Sequence, residues 1–566
     1  MAKKFTPKQI EELIGEGKVI IIYQNSVLNL TSWLKFHPGG DKAVYHMVGR
    51  DATDEMLAYH SEESIAIFHK WKIGEIDSQW KNMLPPIQGA VYPSVKNLKK
   101  SPDLDDKLDL ASPVGSDDNS SETSVELEEP EVNIKLQKAG YPLGTVKPVI
   151  PQTTEYVDSS NKDQFFPVST SEVIVDPKEL MSSFENGIVR DELSRLPGLD
   201  YETQNTIREK YNKLHGTIIK NGFYKCDYSN YVREIVKIAS LFLYSFSFLH
   251  IGHYFLSALF MGTAWHQMTF IAHDAGHVSI THDYQIDNIF GMIVADWFGG
   301  LSLGWWKRNH NVHHLITNDP VHDPDIQHLP FFAVSTRLFG DVYSTYYDKV
   351  LWFDSFAKKV IPFQEYLYYP ILCFGRFNLY RLSWTHLILG QGPRHGKAAW
   401  FRYFELAGLS FFFFWFFGLM VGSIEGGWNK AMFVAVSHMA TMLVHVQITL
   451  SHFAMSTSDL GVSESFASRQ LRTTMDVDCP DWLDFLHGGL QFQAIHHLFP
   501  RLPRHNLRRV QPFVIEFCKE VGLPYSIYGF GKGNEVVIGK LSEIGKQCSI
   551  MLECTKKMKE DQHPFT

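Results

Sequence analysis

Histidines at helical spacing are the residues of this sequence best suited to chemistry, and they form three clusters. The clusters are His273-Asp-Ala-Gly-His277, His310-Asn-Val-His313-His314 and Gln493-Ala-Ile-His496-His497. Residues three or four apart share one face of a helix, so each cluster can direct its side chains to one place. Imidazole nitrogens suit zinc, copper, iron and nickel. The clusters therefore predict a metal site.

The number of donors indicates more than one metal ion. Seven histidines and Gln493 exceed the four ligands that one zinc ion usually takes, and two metals would use them. His452 is a candidate additional ligand, although a helix-capping role explains its position equally well. Side chains that could orient the imidazoles through hydrogen bonds are Asp274, Asn309, Asn318, Asp323 and Asp325.

A further histidine pair, His37 and His60, lies near the N-terminus. His37 precedes Pro-Gly-Gly, and His60 follows 23 residues later, after Asp-Ala-Thr-Asp-Glu-Met. Two neutral imidazoles can hold a haem iron from both sides, and such a haem transfers electrons without binding oxygen. Apolar side chains expected to line this haem pocket are Leu34, Phe36, Val44, Met56 and Leu57.

Long apolar segments indicate the elements that must position the clusters. Residues 235–272 contain only Lys237 as a formal charge, enough for spans at 235–252 and 254–272. A second pair is predicted at 403–422 and 431–451. Eleven Lys and Arg residues lie in 273–402, so the positive-inside rule places this region and both termini in the cytosol.

One more apolar segment, 285–305, lies between the first two histidine clusters. If it crossed the membrane, those clusters would face opposite compartments and could not share metals. We therefore expect it to be interfacial or re-entrant.

The rest of the 566-residue chain divides by composition. Residues 1–77 read as a small globular unit, 78–175 as an acidic, Ser-rich disordered linker, 176–234 as a helical lead-in, and 235–566 as the membrane domain. The net charge of -9 without a basic stripe argues against nucleic-acid binding. Six scattered cysteines without a CxxC pair indicate reduced thiols.

Two family resemblances follow from these motifs. Residues 5–77 resemble cytochrome b5, with one residue fewer than usual between the two histidines, as in the b5 domains fused to lipid desaturases. The chain from about residue 200 resembles the front-end group of membrane fatty-acyl and sphingolipid desaturases. The matching motifs are WWKRNHNVHH, TNDPVHDPDIQH and GGLQFQ followed by HHLFPRLPRHN.

The resemblance implies the cofactors, the partners and the fold. His37 and His60 would hold haem b, and the three clusters would hold two non-haem irons that use O2. Electrons would come from NADH through a cytochrome b5 reductase. The expected fold is a mainly α integral membrane protein of the endoplasmic reticulum. It would have four transmembrane helices, a cytosolic histidine cap and a small α+β cytochrome b5-like domain.

The third cluster bears on the substrate. Front-end fatty-acyl enzymes commonly have Gln-Ile-Glu-His-His there, whereas this chain has Ala494 and Ile495 between the ligands. With its length, acidic linker and segment LHGTIIKNGFYKCDYSNY, the chain is most similar to the fungal delta-8 sphingolipid desaturases. This similarity implies an oxidoreductase that desaturates the long-chain base of ceramide at carbon 8.

Three other functions stay open from sequence. A front-end acyl desaturase acting at carbon 5 or 6 would share nearly all of these features. A lipid hydroxylase would use the same iron chemistry and add oxygen to its product. A membrane-anchored electron carrier would tolerate substitution of His313 or His496.

Overall fold

The N-terminal unit is a small α+β domain. A computed structural model describes residues 3–92 and 176–562 of the chain. Four short strands form a sheet in the order β1-β4-β3-β2, in which β1 is parallel to β4. The elements are β1 (Lys4–Phe5), α1 (Pro7–Gly15), β2 (Ile20–Tyr23), β3 (Ser26–Asn29), α2 (Asp41–Tyr45), α3 (Thr53–Tyr59), α4 (Glu62–Phe68) and β4 (Lys72–Ile76).

Local sequence explains how this unit folds. β2 and β3 pair through a two-residue turn at Gln24 and Asn25, both with positive φ, the conformation that matches the twist of a hairpin. Ile20, Ile22 and Val27 are fully buried beneath the helices. The haem-type histidines lie outside this core, His37 before α2 and His60 directly after α3.

The unit extends past its last strand. Trp80 is buried in the core, and the Tyr92 hydroxyl donates to the Leu84 carbonyl at 2.8 Å. Residues 78–92, predicted as the start of the linker, therefore pack against the domain. The remainder of the predicted linker, 93–175, lies outside the described residues.

Two polar helices follow, as the lead-in pattern predicts. They are α5 (Pro177–Leu193) and α6 (Tyr201–Lys220). Asp176 and Asp200 cap their N-termini by accepting backbone N–H bonds. Tyr211 of α6 is fully buried, and its hydroxyl donates to the Leu498 carbonyl at 2.7 Å. The lead-in thus packs beside the third histidine cluster.

Helices of 4 to 23 residues form the apolar bundle. They are α7 (Tyr228–His250), α8 (Tyr254–Gly276), α9 (Tyr284–Met292, continuing as a π-helix to Phe298), α10 (Leu303–Leu315), α11 (Ala357–Val360), α12 (Gln364–Cys373), α13 (Gly375–Leu389), α14 (Phe401–Phe413, continuing as a π-helix to Val421), α15 (Gly427–Met439) and α16 (Met442–Phe453). A short hairpin, β5 (Val342–Ser344) and β6 (Lys349–Leu351), lies between α10 and α11.

Among the described helices, two are long and apolar enough to cross a membrane, Gly396–Val421 and Gly427–Phe453. They correspond to the predicted second pair. Helices α7 and α8, the predicted first pair, have 23 residues each and are therefore about 34 Å long. They do not reach the apolarity of the other two helices. Ser245 and Ser257 exchange buried hydrogen bonds between α7 and α8. A Cβ at Gly262 would overlap the Ser437 carbonyl, so a glycine is required where α8 meets α15.

The segment 285–305 leaves the histidine region and returns to it. Its helix ends at Gly299 and Gly300, the latter with φ +72°, and the chain reverses into α10. The rings of His277 before it and His310 after it are 5.1 Å apart. The segment therefore keeps the first two clusters on one side of the bundle.

The C-terminal part closes over that side. Its elements are α17 (Phe466–Thr473), β7 (Asp476–Asp478), α18 (Asp484–His487), α19 (Gln493–Leu498), α20 (Leu507–Val521), β8 (Ile527–Gly529) and α21 (Phe530–Gln562). β7 pairs in parallel with β8. This cap brings α19, with the third cluster, against α10.

Candidate metal centres

Helix ends position the three clusters. His273 lies in the last turn of α8, with His277 just beyond its end. The second cluster fills the last turns of α10, whose start is capped by the Ser302 hydroxyl at 3.0 Å from the Trp305 amide. The short helix α19 holds the third cluster, and the Asp476 carboxylate accepts from the Ala494 amide at its N-terminus at 2.9 Å.

The clusters converge in space to form two groups of histidine donors, and His310 and His313 also form a third group with Asp325. The ligand atoms within each histidine group lie within 4.8 Å of one another: His273, His277, His310 and His496 in one group, and His313, His452 and His497 in the other. His314 lies between the groups. Its ring stacks on that of His497 at 4.0 Å, and its Nε2 is 2.9 Å from His310 Nε2.

Buried nitrogens without hydrogen-bond partners support metal binding by these residues. The atoms concerned are Nε2 of His273, His277, His496 and His497, Nδ1 of His314 and His452, and Oε1 of Gln493. A buried polar atom left unpaired is unfavourable, and native proteins seldom tolerate several together. Metal ions would satisfy all of these atoms, so the donor set, together with the nearby His310 and His313, fits two metal ions.

Carboxylates orient the second cluster. His313 Nδ1 donates to Asp323 at 2.8 Å, and His310 Nδ1 donates to Asp325 at 3.3 Å. Each bond fixes the tautomer that leaves Nε2 available for a metal. Asn309 hydrogen-bonds Asp325 as well. Asp323 and Asp325 thus bond the imidazoles directly, and Asn309 supports Asp325.

Asn318 connects the second cluster to His452. Its side-chain amide donates to the His452 carbonyl at 2.8 Å and to the Thr473 carbonyl at 3.1 Å. The backbone N–H of Asn318 donates to the Asp323 carboxylate at 2.7 Å. With φ of +61°, it adopts the left-handed conformation that asparagine accepts readily. The residue therefore ties α10, α16 and α17 together.

Gln470 of α17 is a supporting residue that the spacing of the histidines does not reveal. It is fully buried, and its Oε1 accepts from His497 Nδ1 at 2.9 Å. Its Nε2 donates to the His314 carbonyl at 2.7 Å. One glutamine side chain therefore orients a ligand of the third cluster and supports the backbone of the second.

Arg504 performs a comparable role for the first cluster. Its buried guanidinium donates to the Phe270 carbonyl at 2.9 Å and pairs with Asp274 and Glu234. Asp274 lies 3.7 Å from His273 Nδ1. The sequence predicts the role of Asp274, but no spacing rule predicts an arginine 230 residues away as its partner.

Electrostatics favour neutral imidazoles at the site. Burial lowers the pKa of His310 to about 4, despite the opposing effect of Asp325. Burial and then the neighbouring histidines hold the pKa of His314, His496 and His497 well below the ordinary value. His313 differs, because Asp323 and Asp325 outweigh burial and raise its pKa. Neutral imidazole is the form that binds a metal.

The N-terminal histidine pair has the geometry of a two-imidazole haem site. The rings of His37 and His60 are 6.1 Å apart, with 37° between their planes. His37 Nδ1 donates to the Gly40 carbonyl at 2.7 Å, and His60 Nδ1 donates to the Met56 carbonyl at 3.1 Å. Both Nε2 lone pairs remain for a metal between the rings, and burial lowers the pKa of His60 to about 3. These residues fit a haem.

The walls of the haem pocket differ from the prediction at one position. Leu34, Val44 and Met56 are buried as expected. Phe36 is 42% exposed, and its ring lies 5.4 Å from that of His395 instead of lining the pocket. Phe68, which the sequence analysis missed, packs edge-on against His60 at 5.0 Å.

Histidines assigned no ligand role make other contacts. His282 Nε2 donates to the Tyr224 carbonyl at 2.7 Å, and His505 lies 2.8 Å from Glu234. His250 ends α7 and His253 precedes α8, at the opposite end of the hairpin from the clusters. None of these four belongs to any of the three donor groups among the described residues.

A cavity of about 270 Å³ lies between the haem domain and the start of α10. The His37–Asp41 loop, the first two turns of α10 and the connection from α13 to α14 form its walls. Cations and polar groups line it, among them Lys307, Arg308, Arg394, Arg402 and Glu405. Apolar side chains, among them Met292, Leu303 and Phe401, share the wall with these polar groups, so the cavity suits a ligand that has both a polar and an apolar part.

Comparison with known proteins agrees with both centres. The fatty acid desaturase family profile matches residues 249–529, and that of the cytochrome b5-like haem/steroid binding domain matches residues 6–77. A delta 8-(E)-sphingolipid desaturase from Candida albicans is 65% identical over 580 aligned residues, covering 99% of this chain and 98% of that protein. One from Lachancea kluyveri is 59% identical, covering 98% and 95%. An acyl-lipid (9-3)-desaturase from Borago officinalis is 36% identical, covering 62% and 77%.

Proposed function

This chain belongs to the membrane-bound fatty acid desaturase family and carries a cytochrome b5-like domain at its N-terminus. On that basis we propose that it desaturates the long-chain base of ceramide at carbon 8, giving the E double bond. Relatives that match nearly the whole chain, including those from Candida albicans and Lachancea kluyveri, are named delta 8-(E)-sphingolipid desaturases. The observation that supports the chemistry most strongly is the convergence of buried, partnerless imidazole nitrogens from all three clusters.

The cofactors define what the residues must do. When bound, two non-haem irons supply the oxygen activation that breaking unactivated C–H bonds requires, and haem b supplies single electrons that a cytochrome b5 reductase takes from NADH. His37 and His60 would hold the haem. The three clusters and His452 would hold the irons, while Asp323, Asp325 and Gln470 keep the imidazoles oriented.

Burial of the clusters serves the reaction. His313, His314 and His497 are at most 1% exposed, so bulk water does not reach this part of the site. Excluding water protects a strong oxidant from side reactions. The overall change removes two hydrogens from adjacent CH2 groups of the lipid and consumes one O2, two electrons and two protons, yielding two waters.

Helix α10 runs from this cavity to the metal site. Gly304 and Lys307 line the cavity on its first turns, and His310 follows six residues after Gly304. That separation is about 9 Å along the helix axis. A lipid with its polar end in this cavity would present a carbon several bonds down its chain to the metals. This arrangement favours desaturation counted from the polar end, as position 8 requires.

The membrane arrangement is also part of the proposal. We place four spans in the bilayer: α7, α8, α14 with its π-helical continuation, and the pair α15–α16. The excess of Lys and Arg in 273–402 favours a cytosolic location for the histidine clusters and both termini, in the endoplasmic reticulum membrane. Cytosolic clusters would face the reductase that supplies the electrons.

Expression in a host that lacks 8-unsaturated long-chain bases tests the activity. Mass spectrometry of long-chain bases and fatty acids from the same cells should find a long-chain base two hydrogens lighter, with an E double bond at carbon 8. The His314→Ala variant provides the matched inactive control. An unsaturated fatty acid at carbon 5 or 6, an oxygenated product, or no product would refute the assignment.

A further inference from the structure

The haem domain is docked directly on α10, the helix that holds the second histidine cluster. Ala43 of α2 shares a buried apolar cluster with Val312, Ile316 and Tyr346. Charge pairs surround this contact. Arg308 lies 3.1 Å from Asp41, and Lys42 lies 2.6 Å from Asp348. The contact is therefore a packed interface with a charged rim.

Both haem-ligand loops contact α10 within its histidine cluster. On the His37 side, the side-chain amide of Asn311 donates to the Gly39 carbonyl at 3.2 Å. On the His60 side, the hydroxyl of the preceding Tyr59 donates to the His314 carbonyl at 3.3 Å. The Tyr59 and His314 rings also meet edge to face at 6.0 Å. Each loop thus touches the helix one or two residues from its haem ligand.

Helix α3 is held in place on its outer side as well. Ala58 is buried in the core formed with α6 and α19, and Tyr59 packs against the Phe466 ring at 6.3 Å. Arg208 of α6 pairs with Asp51 at 2.6 Å and with Asp54 at 3.4 Å. Asn82, past the last strand, donates to the Val462 carbonyl at 3.0 Å. These contacts join the haem domain to α6, α19 and the segment before α17 as well as to α10.

We propose that the haem domain works from this docked position, and that Tyr59 is a positioning residue that couples the His60 loop to the second histidine cluster. The inference rests on the proposed function, because it concerns delivery of electrons to the irons. Each transfer oxidises one ferrous haem to the ferric state and reduces one ferric non-haem iron to the ferrous state. A flavoprotein reductase, or dithionite in an assay, then reduces the haem again.

Substitution of Tyr59 by Phe tests the contact between the His60 loop and α10 without leaving a buried polar group unpaired. In Tyr59→Phe the His314 carbonyl still accepts from Gln470 at 2.7 Å, so no buried acceptor is left unpaired. Only the bond to the haem domain is lost. Tyr92→Phe is the matched control, because its hydroxyl donates to a carbonyl within the haem domain at 2.8 Å, away from α10.

The readout is reoxidation of the haem, followed by its absorbance in a stopped-flow mixer. Full-length protein reduced with dithionite is mixed with O2 and a ceramide that has a saturated long-chain base. Tyr59→Phe should slow reoxidation about fivefold, the size of one lost hydrogen bond, and Tyr59→Ala should slow it further. The haem spectrum and midpoint potential should stay unchanged. Wild-type rates in both variants would overturn the role of Tyr59.

A covalent tether tests the docked position independently. Lys42→Cys with Asp348→Cys places two thiols where an ion pair of 2.6 Å joined the domains, and a short bis-maleimide can link them. The native chain, with its six free cysteines, treated with the same reagent is the control. A linked protein that reoxidises its haem at the unlinked rate supports the proposal. Loss of reoxidation on linking alone would show that the domain must move.

Failure of the proposed function gives a different result. In that case, the wild-type haem would reoxidise at the same rate with or without ceramide, and with or without non-haem iron. If only the docking inference fails, haem reoxidation in the wild type still depends on ceramide and on non-haem iron. In that case the Tyr59 variants reoxidise at the wild-type rate, or linking the domains stops reoxidation.

Discussion

Replacement of Gln470 tests whether the metal site depends on a residue outside the three histidine clusters. Gln470→Ala removes the acceptor for His497 Nδ1 at 2.9 Å and the donor to the His314 carbonyl at 2.7 Å. His497 Nδ1 retains only the Thr317 hydroxyl, at 3.3 Å, as a hydrogen-bond partner. The imidazole of His497 should therefore lose its fixed orientation toward the metal.

Two effects of this substitution have different sizes. Three hydrogen bonds are lost, to His497, to His314 and from the Thr317 hydroxyl, which lowers the free energy of unfolding by about 3 kcal/mol. Loss of the partner that orients a metal-ligating imidazole lowers metal affinity or activity about 10–100-fold. Gln470→Glu should fall in between, since it keeps an acceptor for His497 but loses the donor to His314. Gln470→Ala should therefore lose more bound iron than its lower free energy of unfolding alone would cause.

The assay measures non-haem iron per haem and the 8-unsaturated product in the same purified preparations. Gln364→Ala is the matched control. Gln364 is also fully buried and bonds the Ala333 and Leu541 backbones, remote from the histidine clusters. The control should unfold more easily yet keep its iron. Full iron and full activity in Gln470→Ala, or equal iron loss in the control, would refute the reasoning.

Four further predictions concern the two centres and their connection. Asp323→Asn, which disturbs the carboxylate 2.8 Å from His313 Nδ1, should lower product about 10–100-fold with the haem spectrum intact; unchanged product would contradict its orienting role. His37→Ala should abolish haem absorbance and desaturation together, while a His314→Ala variant that also lost haem would show that the centres are not separable. Burial raises the pKa of Asp54 to about 7 despite Arg208, so its ionisation should lower stability as pH rises from about 4 to 7; Asp54→Asn should flatten that decline in thermal unfolding followed by haem absorbance. Shortening 101–131, which lies outside the described residues, should leave turnover near wild type, since its composition predicts a disordered linker and such linkers tolerate length changes; a large loss of rate would show that this segment sets docking.

Periodic spacing made the ligand residues predictable. Pairs such as His273 and His277 are recognisable because helical geometry alone places them on one face. The prediction that 285–305 turns back agrees with the structure, since the clusters on either side of it meet. That inference needed no structure, because histidines sharing a metal must lie on one side of a membrane.

Contacts between residues distant in sequence were not predictable. Gln470 and Arg504 act through hydrogen bonds and ion pairs to residues distant in sequence, and no local pattern marks such residues. The exposure of Phe36 depends on where the haem loop meets the membrane domain, which local apolarity does not encode. The predicted last span is likewise divided between α15 and α16 near Thr441, whose hydroxyl bonds the His438 carbonyl at 2.6 Å.

Metal analysis of the purified, active enzyme tests the central claim most directly. If the converging imidazoles hold a pair of irons, elemental analysis should find three irons per chain: one with the haem spectrum and two that His314→Ala removes. Active protein whose only iron is that of the haem would contradict the account.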